Sequence, residues 1–134
     1  MPIISYKEML VIAVVVDVAL NGGSSTINAK QLANRHRLPP RHLEPFLQAL
    51  AHAGILASVR GSSGGYKLAR EPGWISVEDV LLALGTLEDE EDVGWLQMNE
   101  VVTRALAQPL NSFRDDLSRI SIEDLMAMAA RDAA

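Results

Sequence analysis

A mainly α-helical fold carrying one small antiparallel hairpin is predicted by three observations in this 134-residue sequence. Apolar residues recur at three-four spacing over most of its length, strict alternation is confined to two short stretches flanking GSSGG, and Pro39-Pro40 separates two helical patterns. The length is that of one ordinary domain, enough to bury a core without covalent staples. The chain has no cysteine, which excludes disulfides and any cysteine-held metal or iron-sulfur centre. Residues 9–20 are apolar, but Asp17 interrupts them and they fall short of the roughly 18 residues of a membrane span. The start MPIISYKEM lacks the basic region and cleavage site of a signal peptide, so a cytoplasmic protein is expected.

The first helix is expected over 5–21. Ser5 and Glu8 have capping-box spacing and Asn21-Gly22-Gly23 supplies the stop, against the strand propensity of Val14-Val15-Val16. Asn28 caps a second helix with Gln31 at the reciprocal position, and Leu32 and Ala33 give it a small apolar face. Leu38-Pro39-Pro40 ends that helix and opens a third, because proline fits a helix's first turn, where its missing N–H costs nothing. In the third helix Leu43, Phe46, Leu47 and Leu50 form the apolar face, ending at Gly54, while Arg41, Pro45, Gln48 and His52 share the opposite one. Alternation then turns Ile55, Ala57 and Val59 one way and Ser58 and Arg60 the other; beyond the glycine-serine tip Tyr66 and Leu68 alternate with Lys67. Pro72-Gly73 marks a boundary. Ser76 and Asp79 cap a fourth helix bearing Val77, Val80, Leu81 and Leu84, stopped by Gly85.

Residues 88–92, EDEED, read as a solvated loop. A long helix is expected over 96–118, kinked by Pro109, with Met98, Val101, Val102, Ala105, Leu106, Leu110, Phe113 and Leu117 along one stripe. A last helix starts near Ser121 and carries Leu125, Met126 and Met128. The division follows as 1–86, the candidate working domain, and 87–134, the acidic loop, long helix and terminal helix.

Charge divides the same way. The formal net charge of −5 combines +4 over residues 1–72 with −9 over 73–134, and within 30–70 seven cations stand against one anion, Glu44. A cationic front half points to an anionic partner, and the acidic rear half to a different task.

Helix, helix, sharp turn, amphipathic helix and hairpin is the order of a winged helix-turn-helix, whose second paired helix enters the DNA major groove beside a wing that reaches phosphates or the minor groove. The stretch QLANRHRLPPRHLEPFLQALAHAGILASVRGSSGGYKLAREPGWISVEDVLLAL resembles the DNA-binding domain of the Rrf2 family of bacterial transcription regulators. The resemblance rests on Leu43-Glu44, AGIL and VRGSSGGYKLAR. It extends through NEVVTRALAQPLNSFRDDLSRISIEDLM, which is similar to the family's dimerisation helix and terminal helix. It implies a homodimer on a near-palindromic operator, expected to act as a repressor by occupying promoter DNA. Arg41, His42, Glu44 and Gln48 would face the major groove, and Arg60, Gly61, Ser62, Ser63, Gly64, Gly65 and Lys67 would form the wing at the minor groove. Val101, Val102, Ala105, Leu106, Leu110, Phe113 and Leu117 would face the second copy. Many relatives hold a cluster through three cysteines between the fourth and the dimerisation helix; EDEEDVGWLQ stands there instead, so no cluster and no other cofactor is expected.

His36, His42 and His52 all lie in the cationic part; His42 and His52, ten residues apart, have no acidic or thiol companion, and the histidines read as surface or phosphate-facing groups rather than metal ligands. Arg60, Lys67 and Arg70 read as DNA-facing cations. An effector, if one exists, could be a small molecule near Trp74 and Trp95 or a protein at the acidic run. No nucleophile-base grouping and no phosphate-binding glycine pattern between strand and helix is present, so an enzyme is not expected. A second reading is a winged-helix module that has lost DNA binding and docks a protein, favoured by Ser62 and Ser63 in place of further basic residues and by the acidic total charge.

Overall fold

Four serine or asparagine caps set where the helices begin. In the computed structural model, which describes residues 4–22, 25–85 and 100–133, each cap side chain accepts the N–H three residues on, and that residue's side chain accepts the cap's own N–H. Ser5 with Glu8 opens α1 (Tyr6–Asn21), Asn28 with Gln31 opens α2 (Ala29–Arg35), Ser76 with Asp79 opens α4 (Val77–Ala83), and Ser121 with Asp124 opens α6 (Ile122–Ala133). Between them run α3 (Pro40–His52), β1 (Leu56–Val59), β2 (Gly65–Leu68), a 3-10 turn (Pro72–Trp74) and α5 (Glu100–Ser118). The acidic run 88–92, Trp95, Met98 and the first turn expected of the long helix, 96–99, lie outside the described residues.

The core is built on α1. Val11, Val14, Val15 and Val18 are buried against Leu32 and Ala33 of α2, Leu43, Leu47 and Leu50 of α3, then Ile55, Leu56, Ile75, Val80 and Ile122. Burial on this scale overrides the strand propensity of the valine run, since each buried valine, leucine or isoleucine gains about 1.5–3 kcal/mol by leaving water. A second, smaller cluster joins Val77 and Leu81 of α4 to Phe113 and Leu117 of α5.

The helix α6 returns across the division expected at residue 86. Ile122 is fully buried in the α1 core. The Val77 N–H donates to the Ile120 carbonyl at 2.8 Å and the Ile122 N–H to the Ile75 carbonyl at 2.8 Å, stitching the starts of α4 and α6 together.

β1 and β2 pair antiparallel, Leu56 opposite Leu68, Ala57 opposite Lys67, Ser58 opposite Tyr66 and Val59 opposite Gly65. This register corrects the expected facing of the hairpin. Leu56, Tyr66 and Leu68 share a face, while Ala57 is only half-buried and Val59 is exposed. Ile55 is buried, but it belongs to the end of α3: its N–H donates to the Leu50 carbonyl at 2.9 Å, just after Gly54 at φ 77°. The alternation therefore starts one residue later than the sequence suggests. An unforeseen bridge completes the sheet, Ile27 pairing with Tyr66 through hydrogen bonds of 3.0 and 2.8 Å.

Two prolines sit inside helices. α3 runs through Pro45, whose missing N–H leaves the Arg41 carbonyl without its intrahelical donor, and α5 runs on through Pro109. Among the described residues no helix is long and apolar enough to cross a membrane.

Candidate nucleic-acid interface

α3 turns Leu43, Leu47 and Leu50 into the core, so its other side is fixed by the 3.6-residue period. Arg41, Pro45, Gln48 and His52 form the outward stripe, with His42 and Glu44 along its two edges, and all six are exposed. Pro39 at the N-cap has no side-chain acceptor, so α3 starts with no side-chain cap, and Pro40 in its first turn leaves no N–H to satisfy. The stripe is small and polar at its centre and cationic at its start, a profile that fits a groove lined by base edges and phosphates.

The wing follows after one tight turn. Arg60, Gly61, Ser62 and Ser63 are exposed at its tip, while Gly64, Gly65 and Lys67 are half-buried. The glycines divide by task. Gly61, at φ 110°, has open space where a side chain would be. A Cβ at Gly65 would lie 2.5 Å from the Ile27 carbonyl oxygen, and one at Gly64 would collide with the Val59 carbonyl. Gly64 is therefore needed to close the hairpin on itself and Gly65 to seat it against the segment ahead of α2, in addition to any approach to a ligand. The Thr26 hydroxyl donates to the Ser63 carbonyl at 2.6 Å and ties the tip to the segment ahead of α2.

The cations sort into bound and free. Arg35 donates to Asp17 at 2.7 Å, and His36 lies 3.2 Å from the other oxygen of the same carboxylate, so His36 is a half-buried partner of α1 rather than a surface group. Arg70 also departs from expectation: it donates to the Gly54 carbonyl at 3.2 Å and the Trp74 carbonyl at 3.4 Å, with Asp79 at 3.8 Å. It fastens the end of the wing to α3 and α4. The side chains of Lys30, Arg37, Arg41, Arg60 and Lys67 make no hydrogen bond or ion pair among the described residues. Lys30 and Arg37 were not singled out by the sequence, whose charge count could not tell bound cations from free ones. No three of His, Cys, Asp or Glu gather into a ligand set among the described residues.

The stripe assigned to a second copy divides at Phe113. Phe113 and Leu117 pack on Val77 and Leu81, and an Arg114–Glu78 ion pair at 3.4 Å holds the same junction. Leu117 is only 8% exposed, so it and Phe113 serve the chain's own core. Val101, Val102, Ala105, Leu106 and Leu110 are all exposed, Val101 by 67% and Leu110 by 54%. Residues 100–112 contribute no buried side chain to the described body. Trp74 is exposed as well, by 77%, while Trp95 lies outside the described residues.

Comparison with known proteins matches residues 4–128 to the Rrf2 family, described as an iron-dependent transcriptional regulator. Protein rrf2 of Nitratidesulfovibrio vulgaris is 30% identical over 120 residues, spanning 85% of this chain and 80% of that protein. The IscR structure from T. potens superposes with a TM-score of 0.76 at 30% identity, covering 94% of this chain and 87% of that one. CymR, described as the global cysteine regulator of B. subtilis, superposes with a TM-score of 0.72 at 27% identity, covering 96% and 98%. The iron in the family's description does not fit a thiolate site here, because the chain offers no cysteine to hold it.

Proposed function

Because the chain belongs to the Rrf2 family of winged-helix transcriptional regulators, we propose that it is a homodimeric, sequence-specific DNA-binding protein that acts in the cytoplasm as a repressor. It reads a near-palindromic operator and signals without an iron-sulfur cluster. The observation that carries this reading is the outward stripe of α3, exposed and cationic at its start, followed after one turn by a wing whose Arg60 side chain has no partner among the described residues. Arg41, His42, Glu44 and Gln48 lie in the major groove and read base edges, the two side-chain carbonyl and carboxylate acceptors favouring adenine and cytosine amino groups. Arg60, Gly61, Ser62 and Ser63 meet the minor groove, and Lys67 and Lys30 the phosphates.

Two copies join through the exposed half of α5, where Val101, Ala105, Leu106 and Leu110 present an apolar strip that water does not favour. A two-fold pair places two α3 helices about one helical turn of DNA apart, and the operator mirrors that symmetry. The division of labour is then 1–86 for DNA and 87–134 for pairing, with α6 as the tie between them.

Selection of bound sequences from a random duplex pool tests the reading and delivers the operator. Enrichment of an inverted repeat is the expected result. Affinity for the enriched duplex should then fall with a log-log salt slope of about −0.9 for each phosphate neutralised. A pool from which nothing is enriched at low salt, or binding indifferent to salt, overturns it in favour of a protein-docking module.

A further inference from the structure

Two helices of this chain end in the same hydrogen-bonded turn. At the end of α3 the Gly54 N–H donates to the Ala51 carbonyl at 3.1 Å and the Ile55 N–H to the Leu50 carbonyl at 2.9 Å. At the end of α2 the Arg37 N–H donates to the Asn34 carbonyl at 3.3 Å and the Leu38 N–H to the Ala33 carbonyl at 2.9 Å. Both turns need one residue in the left-handed region, where a Cβ crowds the backbone. Gly54 supplies it at φ 77°, and glycines also follow α1 and α4 at φ 86° and 76°. After α2 the residue is Arg37 at φ 57°, the one non-glycine residue with positive φ among the described residues.

The turn's backbone bonds and the packing of Leu38 on the core hold the corner shut, but they would do the same for a glycine, and no side-chain interaction rewards an arginine there. The Arg37 side chain is exposed and makes no hydrogen bond or ion pair there, whereas Arg35 and Arg70 are both engaged. A cation does favour the C-terminus of α2, but α2 has only seven residues and Arg35 already sits in its last turn without strain. An exposed charge gains less from so short a helix than a left-handed side chain loses. Arg37 also stands ahead of the positive end of α3 and of Arg41, which disfavours it in the free protein.

We propose that Arg37 is a DNA-backbone contact, its guanidinium held by the strained corner of the helix-turn-helix against a phosphate beside the groove that α3 enters. The proposal rests on the DNA-binding reading above. The turn precedes the start of α3 by three residues, so a helix docked in the major groove carries this corner to the groove's phosphate wall. Arginine suits that place because its planar fork pairs with phosphate oxygens, and a contact to backbone alone strengthens binding to every sequence alike.

The full chain and its Arg37→Gly, Arg37→Ala and Arg37→Lys variants would be titrated with a random-sequence duplex pool across a salt series, and melted without DNA. Glycine and alanine should both weaken binding several-fold with no change in sequence preference, and flatten the salt slope by about 0.9 for each protomer on DNA. Lysine should restore the slope. The glycine variant should melt above the alanine one by about 2–4 °C, because it alone relieves the corner. A glycine variant that binds with the parent's affinity and slope overturns the proposal, and so does one that melts no higher than the alanine variant. Failure of the parent itself to bind the pool would instead sink the DNA-binding reading on which the proposal stands.

Discussion

Arg60 and Gly65 lie five residues apart in the wing and carry opposite kinds of consequence. Arg60 is exposed with no partner among the described residues, so Arg60→Ala leaves folding almost untouched and acts on the ligand. An arginine reading a base edge contributes about 1–3 kcal/mol at one operator position, and one meeting only phosphate weakens all duplexes alike. Gel-shift titration of the mutant against single-base operator variants separates these outcomes, and undiminished affinity removes Arg60 from the interface. Gly65→Ala acts on the fold. Its new Cβ would press on the Ile27 carbonyl, which accepts from the Tyr66 N–H, so the bridge between the segment ahead of α2 and the wing must shift. Overpacking of this kind costs about 1–3 kcal/mol, read as a lower thermal midpoint. The sequence made the glycine-serine tip and its flanking cations visible. It could not show that Gly64 and Gly65 face the protein's own backbone, nor that Arg70 spends its donors on Gly54 and Trp74, because both depend on segments distant in the chain meeting in space.

Helices were legible wherever local chemistry decided them. The reciprocal pairs Ser5 and Glu8, Asn28 and Gln31, and Ser76 and Asp79 fix three starts by bonds within four residues, and the structure has all three. The hairpin's facing was misread because Ile55 is buried by the turn that closes α3, a tertiary reason that mimics strand alternation. α5 poses the same problem at larger scale. Its three-four stripe is continuous in sequence, yet Phe113 and Leu117 belong to the fold while Leu106 and Leu110 stand in the open. Periodicity reports that a stripe will be covered and is silent about what covers it. Leu106→Asp combined with Leu110→Asp should therefore give a monomer in sedimentation or light scattering that keeps its helical content, since neither side chain is buried within the chain. Operator affinity should drop by about 10²-fold or more, because the second half-site is no longer tethered to the first. A mutant pair that remains dimeric would place the contact elsewhere.

The molecule as a whole carries its charge and its core on different plans. Charge separates near residue 72 of the sequence, +4 ahead of it and −9 behind, so the two parts can divide their tasks only if something holds them in a fixed relation. The core supplies that relation by ignoring the charge boundary. Ile122 is fully buried in the core built on α1, and the Ile75–Ile122 and Val77–Ile120 backbone bonds join the segment after the wing to the start of α6. A chain cut after Gly85 therefore loses core side chains as well as the helix proposed to pair two copies. Ile122→Ala alone should cost about 2–5 kcal/mol by the emptied volume it leaves. Against a total stability of about 5–15 kcal/mol, removing Ile122 together with the Phe113 and Leu117 contacts leaves little margin. The truncated chain should show a thermal midpoint far below that of the full chain, or no cooperative transition, instead of behaving as an intact monomeric DNA-binding domain. The Leu106 and Leu110 aspartate pair serves as the control, since it changes exposed positions of α5 while leaving the core whole. If the truncated chain melts as sharply and as high as that control, α6 is an appendage, and the wing and α3 hold their shape without it.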